Sequence, residues 1–278
     1  MSNARLTISL LIAALSMSAH AETSDCTPIT SLPYTISVQG IYCLTGNLST
    51  SITSGAAIEI QNNNVTIDMN GYKLGGLGAV DGTQATGIYA YQRKNVTIKN
   101  GIVRGFYVGI GLEDDPPYTS SSGHVVENIF ADQNTYLGIG TEGLGNTVRD
   151  NTVVDTGGST LSVNADGIAV GGSGAKIANN AMSTTVAQDT GYSVGIYPAA
   201  TDYSLVQNNT VTDTLRGTWP SYAISVGSST GVFLRNNNLS NADYGVYMVG
   251  ASGKYFNNLT YDIVTPFTGG TPVGSNNN

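Results

Sequence analysis

A small residue followed by Ile or Val returns eight times along the chain, and this period restricts the fold more than any other feature. The pairs are Ala57-Ile58, Gly87-Ile88, Gly109-Ile110, Gly138-Ile139, Gly167-Ile168, Gly195-Ile196, Ala223-Ile224 and Gly245-Val246. Successive steps are 30, 22, 29, 29, 28, 28 and 22 residues. Such a spacing is too long for a hairpin and too short for a domain. It describes coils stacked along one axis, each burying its apolar face only against its neighbours.

Each coil reads as strand, turn, strand, turn. Gly87-Ile88-Tyr89-Ala90 alternates, with Ile88 inward and Tyr89 outward, as a half-buried strand requires. A second aliphatic strand follows, as in Val96-Thr97-Ile98 and Val232-Phe233-Leu234. It ends in a turn rich in Asn, seen at Asn100, Asn128, Asn151, Asn179-Asn180, Asn208-Asn209, Asn236-Asn237 and Asn257-Asn258. Asn tolerates left-handed backbone, and stacked amides can form ladders between coils. Charged residues make up only 11% of the chain, too few for an ordinary helical globule.

The ends differ in texture. Arg5, the apolar run Leu6 to Leu15 and Ala19-His20-Ala21 predict an export signal over residues 1–21, too short to span a membrane. No later segment is apolar enough to cross a bilayer, so the expected location is secreted or periplasmic. Without residues 1–21, His124 is the single histidine, and ten Lys plus Arg face nineteen Asp plus Glu. That balance argues against nucleic acid as a partner. Cys26 and Cys43 are expected to form a disulfide, as pairs in exported chains do. It would tie an N-terminal cap over residues 22–50, ahead of a helix of coils over 51–267 and a polar, disordered tail over 268–278.

The pattern over roughly residues 50–267 resembles the right-handed parallel β-helix repeats of the pectate-lyase-like superfamily. The resemblance implies an all-β solenoid of about eight coils. It implies little about activity, because that superfamily spans lyases, hydrolases, epimerases, phage tailspikes and non-catalytic surface proteins. Asn164-Ala165-Asp166-Gly167 is similar to one segment of polygalacturonase-type hydrolases, but the family's Asp-Asp, Gly-His-Gly and Arg-Ile-Lys segments have no counterpart here. Asp166 is therefore assigned to the repeat. Asp115-Pro116-Pro117-Tyr118 departs from the Asp-Pro-His-Asp of alginate epimerases after two residues. Arg93, Arg104 and Arg149 sit in no lyase motif, and one histidine with a disulfide cannot furnish a zinc or copper site.

Aligning the coils sorts the polar residues. Four positions beyond the turn lie Asp132, Asp155, Thr184, Asp213, Asn241 and Asp262, a mixture typical of turns. Three positions beyond the anchor lie Gln61, Tyr91, Glu113, Glu142, Gly171, Ala199 and Gly227, and only two adjacent coils place carboxylates there. Coils are about 4.8 Å apart, so Glu113 and Glu142 stack as like charges. Asp114 and Asp115 follow on a loop from Glu113 to Gly123. Three meanings stand side by side: a catalytic carboxylate pair, a calcium site formed by Glu113, Asp115 and Glu142, and a solvated acidic loop. No other cofactor is expected. His124 opens the next strand and reads either as a general acid near these carboxylates or as a structural residue.

Tyr107 and Tyr136 precede the anchors of the same two coils by three positions, and exposed tyrosines suit sugar rings. The longer excursions Asp155 to Asn164, Thr184 to Tyr192 and Asp213 to Tyr222 are expected to build a wall beside the sheet. Trp219 in that wall is either a sugar platform or an anchor for its own loop. The leading expectation is an exported protein that engages a polysaccharide along this groove. The alternatives are a non-catalytic structural solenoid and a calcium-dependent lyase or glycoside hydrolase.

Overall fold

The structure is a computed structural model that describes residues 25–274. The chain winds as a right-handed parallel β-helix whose strands pair in parallel from coil to coil. The repeated small-Ile pair builds the first sheet. Its central column runs Tyr34, Ile58, Ile88, Ile110, Ile139, Ile168, Ile196, Ile224, Val246 and Phe267. The eight anchors from Ile58 to Val246 are fully buried. One further strand, carrying Tyr34 or Phe267, extends the sheet at each end.

The small residue before each anchor answers to close stacking. A Cβ on Gly138 would lie 2.6 Å from the carbonyl oxygen of Gly167 in the next coil and 2.6 Å from Val153 Cγ1. Anything large at this position would push the coils apart, and their spacing is fixed by the backbone hydrogen bonds.

The second sheet stacks Ile67, Ile98, Val126, Val148, Ile177, Val206 and Leu234, all buried. Two strands per coil is an underestimate. A third sheet follows the Asn turn and stacks Leu74, Val103, Ala131, Val153, Met182, Val211 and Leu239. Its strands are short, and in Val96–Arg104 and Val125–Asp132 the chain runs through the turn without a break. Alternation alone does not separate the two.

The corner between these sheets explains the asparagines. Asn100, Asn128, Asn179, Asn208, Asn236 and Asn257 all have left-handed backbone, with φ of 52–58°. The neighbouring Asn151, Asn180, Asn209, Asn237 and Asn258 point inward and are buried. In this inner row the Nδ2 of Asn151, Asn180, Asn209 and Asn237 each donates to the Oδ1 of the next coil at 2.8–3.0 Å. The same oxygen accepts a main-chain N–H at 2.9–3.1 Å. The Asp column is turn scaffold, since Asp155, Thr184, Asp213, Asn241 and Asp262 have φ of 51–55°. In the coil of Asp132 the adjacent Gln133 takes the left-handed place, and Asp132 pairs with Arg104 at 3.0 Å.

The expected N-terminal cap is built as a first coil, formed by residues 25–50. Gly40–Leu44 pairs into the second sheet, Tyr34–Ile36 into the first and Leu48–Ser49 into the third. The Cys26–Cys43 disulfide closes this coil. At the other end, order continues past the tail boundary expected at 268, because Thr271–Pro272 pairs with Lys254 and Tyr255 on an otherwise open edge. The export signal expected over 1–21 and the last residues, 275–278, lie outside the described residues. Among the described residues no helix is long and apolar enough to cross a membrane.

Candidate functional site

The outer face of the first sheet concentrates the aromatic and acidic residues. Strand register places three outward columns beside the anchors. One lies two positions before the anchor (Thr86, Val108, Leu137, Asp166, Val194, Tyr222, Tyr244), one a single position after it (Tyr89, Gly111, Gly140, Ala169, Tyr197, Tyr247), and one three after it. Leu137 marks the first column as outward, because a Cβ on outward-facing Gly140 would meet Leu137 Cδ2 at 2.8 Å. No Lys or Arg occurs in any strand of this sheet.

Loops wall this face on both sides. On the anchor side the long excursions interlock: Thr160 N–H donates to Asp81 O at 3.2 Å, Gln188 N–H to Val163 O at 2.8 Å, and Thr218 N–H to Asp189 O. Trp219 stands in this wall, 62% exposed, so it is no buried anchor. On the opposite side runs the loop from Glu113 to Gly123.

That acidic loop is internally organised. Asp114 is buried, and its carboxylate accepts N–H groups from Asp115 at 3.0 Å and from Ser120 and Ser121 at 2.9 Å each. Glu142 Oε2 accepts the N–H of Asp114 at 2.8 Å, so the like charges are separated by a main-chain donor. Asp115 accepts the hydroxyl of Tyr91, and Glu113 accepts that of Tyr89. Burial raises the carboxyls of Glu113 and Glu142, opposed in each by its hydrogen bond and reinforced by neighbouring acids. The Tyr89 hydroxyl is pushed up to about 12 by burial and by Glu113.

Glu113, Asp115 and Glu142 therefore turn to different donors and do not converge as the expected calcium ligands. Among the described residues no three His, Cys, Asp or Glu side chains are grouped to hold a metal ion.

His124 does not join them as a general acid. It is buried, its Nδ1 accepts the N–H of Val96 at 3.3 Å, and its own N–H donates to Asn146 Oδ1 at 3.0 Å. Burial lowers it to about 4, so the ring is neutral at pH 7. Arg149 lies on the second sheet, bound to Glu127 and, at 3.4 Å, to Asp150. It plays no part in the acidic cluster.

Asp166 is the residue that the repeat concealed. It is the single acid in its outward column, where the other coils carry Thr, Val, Leu or Tyr. That contrast was the signal available in the sequence. Its carboxyl is buried, its Oδ1 has no hydrogen-bond partner among the described residues, and burial pushes it up to about 7. Its N–H donates to Tyr136 O at 2.9 Å, the N–H of Ala165 beside it donates to Tyr192 O at 3.2 Å, and its charge acts on the hydroxyls of Tyr136, Tyr192 and Tyr197. Tyr192 is pushed up to about 12 by burial and by Asp166. Tyr107 and Tyr136, expected as sugar contacts, stack on each other with centroids 4.9 Å apart. Tyr118, on the acidic loop, leans across towards Gly171, where a Cβ would lie 3.6 Å from its ring. A cavity of about 420 Å³ opens elsewhere, at the concave Asn corner beside Phe130. Its Asn100 and Asn128 amides are already engaged in coil-to-coil bonds.

Residues 82–263, about two thirds of the chain, match the family described as periplasmic copper-binding protein NosD. The chain belongs to this family. No curated protein matches it in sequence. Among solved structures it is similar to the enzymatically active domain of tailspike protein 2 of bacteriophage CBA120, with 14% identity, a TM-score of 0.58, and coverage of 85% of this chain and 39% of that one. The full-length tailspike protein 2 of an Escherichia coli O157:H7 bacteriophage gives 15%, 0.56, 85% and 34%. A protein of Geobacillus virus E2 gives 10%, 0.50, 89% and 55%. The chain thus spans well under half of the first two, and the likeness is one of fold.

The copper named for the NosD family does not fit the donors found here. The described histidine is interior, both cysteines are oxidised to a disulfide, and Met69, Met182 and Met248 are buried in the core. Copper prefers exposed imidazole, thiolate or thioether ligands grouped at one point, and these residues form no such group.

Proposed function

We propose that this protein is exported to the periplasm and holds a polysaccharide along the outer face of the first sheet. The observation that carries the reading is a flat, walled face on which half-buried tyrosines alternate with carboxyls and small residues. Tyrosine rings offer apolar faces to sugar rings, and carboxyls accept hydroxyl protons. The glycines and alanine at 111, 140 and 169 leave room for a chain to lie close to the backbone. A disulfide suits an oxidising compartment, and the family is described as periplasmic.

The reading is one of binding. Glu113 and Glu142 are engaged by Tyr89 and by the Asp114 N–H, and His124 is withdrawn into the core. A glycan panel tests it with wild type and the variants Tyr136→Ala and Tyr197→Ala. Binding by wild type that weakens in both variants is expected. A panel in which no glycan binds, or in which binding survives both changes, contradicts the reading.

A further inference from the structure

The charge of the first sheet's outer face points to the kind of glycan it takes. Its strands carry Glu59, Glu113, Glu142 and Asp166 and no basic residue. Four of the described bases are paired with other acids: Lys99 with Asp68, Arg104 with Asp132, Arg149 with Glu127, and Arg216, in the wall, with Asp243. The charged neighbours of Glu113 and Glu142 are further acids. Asp166 is nine-tenths buried on the outward side, with an oxygen that no group among the described residues bonds. Buried carboxyls of this kind are costly unless a donor or a cation meets them.

Three classes of sugar chain can be weighed against that face. A neutral sugar offers hydroxyl donors but leaves the accumulated negative charge unanswered. A uronic acid adds charge of the same sign and is repelled. An amino sugar with a free amine offers ammonium groups, which carboxylates bond strongly and which the faces of tyrosine rings attract. Tyr136, Tyr192 and Tyr197 lie close enough to Asp166 to feel its charge, so one residue cluster supplies both contacts. Tyr192 is 37% exposed at the end of its loop, so its ring is open to a ligand.

We infer that the glycan held by this face carries free amino groups, with an ammonium seated among Tyr136, Tyr192 and Tyr197 against Asp166. This rests on the glycan reading above and names its chemical class.

Calorimetric titration of the described protein with β-1,4-linked tetramers of glucosamine, N-acetylglucosamine and glucose tests the inference, in low-salt buffer near pH 7. The glucosamine tetramer should bind at least about ten-fold more tightly than its acetylated counterpart, because only it adds cation–π and charge contacts. Added salt should shrink that advantage. Asp166→Asn should abolish most of it, so that the ratio of the two affinities falls to about one; the ratio, and not either affinity alone, is the quantity to read. If that variant does not fold, Tyr192→Ala carries the same comparison.

Equal affinity for the three tetramers overturns the amine and leaves the glycan reading standing. An oligolysine that binds as tightly as the glucosamine tetramer also overturns the inference, since charge alone would then suffice. Failure of every glycan to bind overturns the glycan reading and the inference together.

Discussion

Two buried titratable groups pull stability in opposite directions with pH, and replacing one of them should expose the other. Asp166 moves from 3.8 to about 7 in the folded protein, a displacement worth about 4 kcal/mol at ~1.4 kcal/mol per pH unit. Its folded value is raised, so its contribution is complete below the unfolded value and is lost as pH rises towards 7. His124 moves from 6.5 down to about 4, worth about 3 kcal/mol. Its folded value is depressed, so its contribution is complete above 6.5 and is lost as pH falls towards 4. Between these limits the two slopes oppose each other. In Asp166→Asn the Asp166 slope is gone while the other groups, Glu113 and Glu142 included, titrate as in wild type, so stability should climb with pH relative to wild type across that window. The amide adds a constant offset, so the quantity to read is the change with pH. The variant should gain about 4 kcal/mol on wild type between about pH 4 and pH 8. Equilibrium urea unfolding at several pH values measures this, provided the slope with urea is unchanged. A difference between variant and wild type that stays constant across pH would refute the reasoning.

Three further outcomes follow from the same structure. Asn180→Ala removes the amide that accepts the N–H of Asn151 and donates to Val148 O, leaving buried groups unpaired. A loss of about 2–4 kcal/mol is expected by chemical unfolding, and a loss under about 1 kcal/mol would count against the ladder as a support. Reducing Cys26–Cys43, which closes a sequence separation of 17, should cost about 3 kcal/mol and lower the melting temperature. Copper or calcium at moderate excess should leave the melting temperature unmoved, and a stoichiometric rise with either ion would contradict the geometry of the described donors.

The fold was legible because its period is written into the residues that stack. A small-Ile pair in each coil and an Asn after the second strand suffice to specify parallel coils. The third sheet was not legible, because its strands are short and two of them continue from the second sheet without a break. The acidic loop could be located but not interpreted. Nothing in Glu113-Asp114-Asp115 tells that Asp114 folds back to cap the loop's own N–H groups, or that the Asp114 N–H comes between the two glutamates. His124 looked available for chemistry by its sequence neighbours, yet strand phase turned it inward.

Asp166 shows the opposite error. Its place beside Gly167-Ile168 made it resemble repeat texture, while comparison down its own column would have shown a lone acid among apolar and aromatic residues. Tyr192 and Tyr197 were invisible as its partners because they lie a full coil further along the chain.

The most direct measurement compares glycan affinity in wild type, in a first-sheet variant carrying Tyr136→Ala and Tyr197→Ala, and in a control carrying Phe130→Ala at the concave corner. Phe130 is 40% exposed beside the cavity of about 420 Å³, so the control perturbs a rival surface away from the first sheet. The outer face of the first sheet is the binding face if affinity falls at least about ten-fold in the first variant, as loss of two stacking rings predicts, and stays at the wild-type level in the control. Retained affinity in the first variant, or loss in the Phe130 control, would contradict that account.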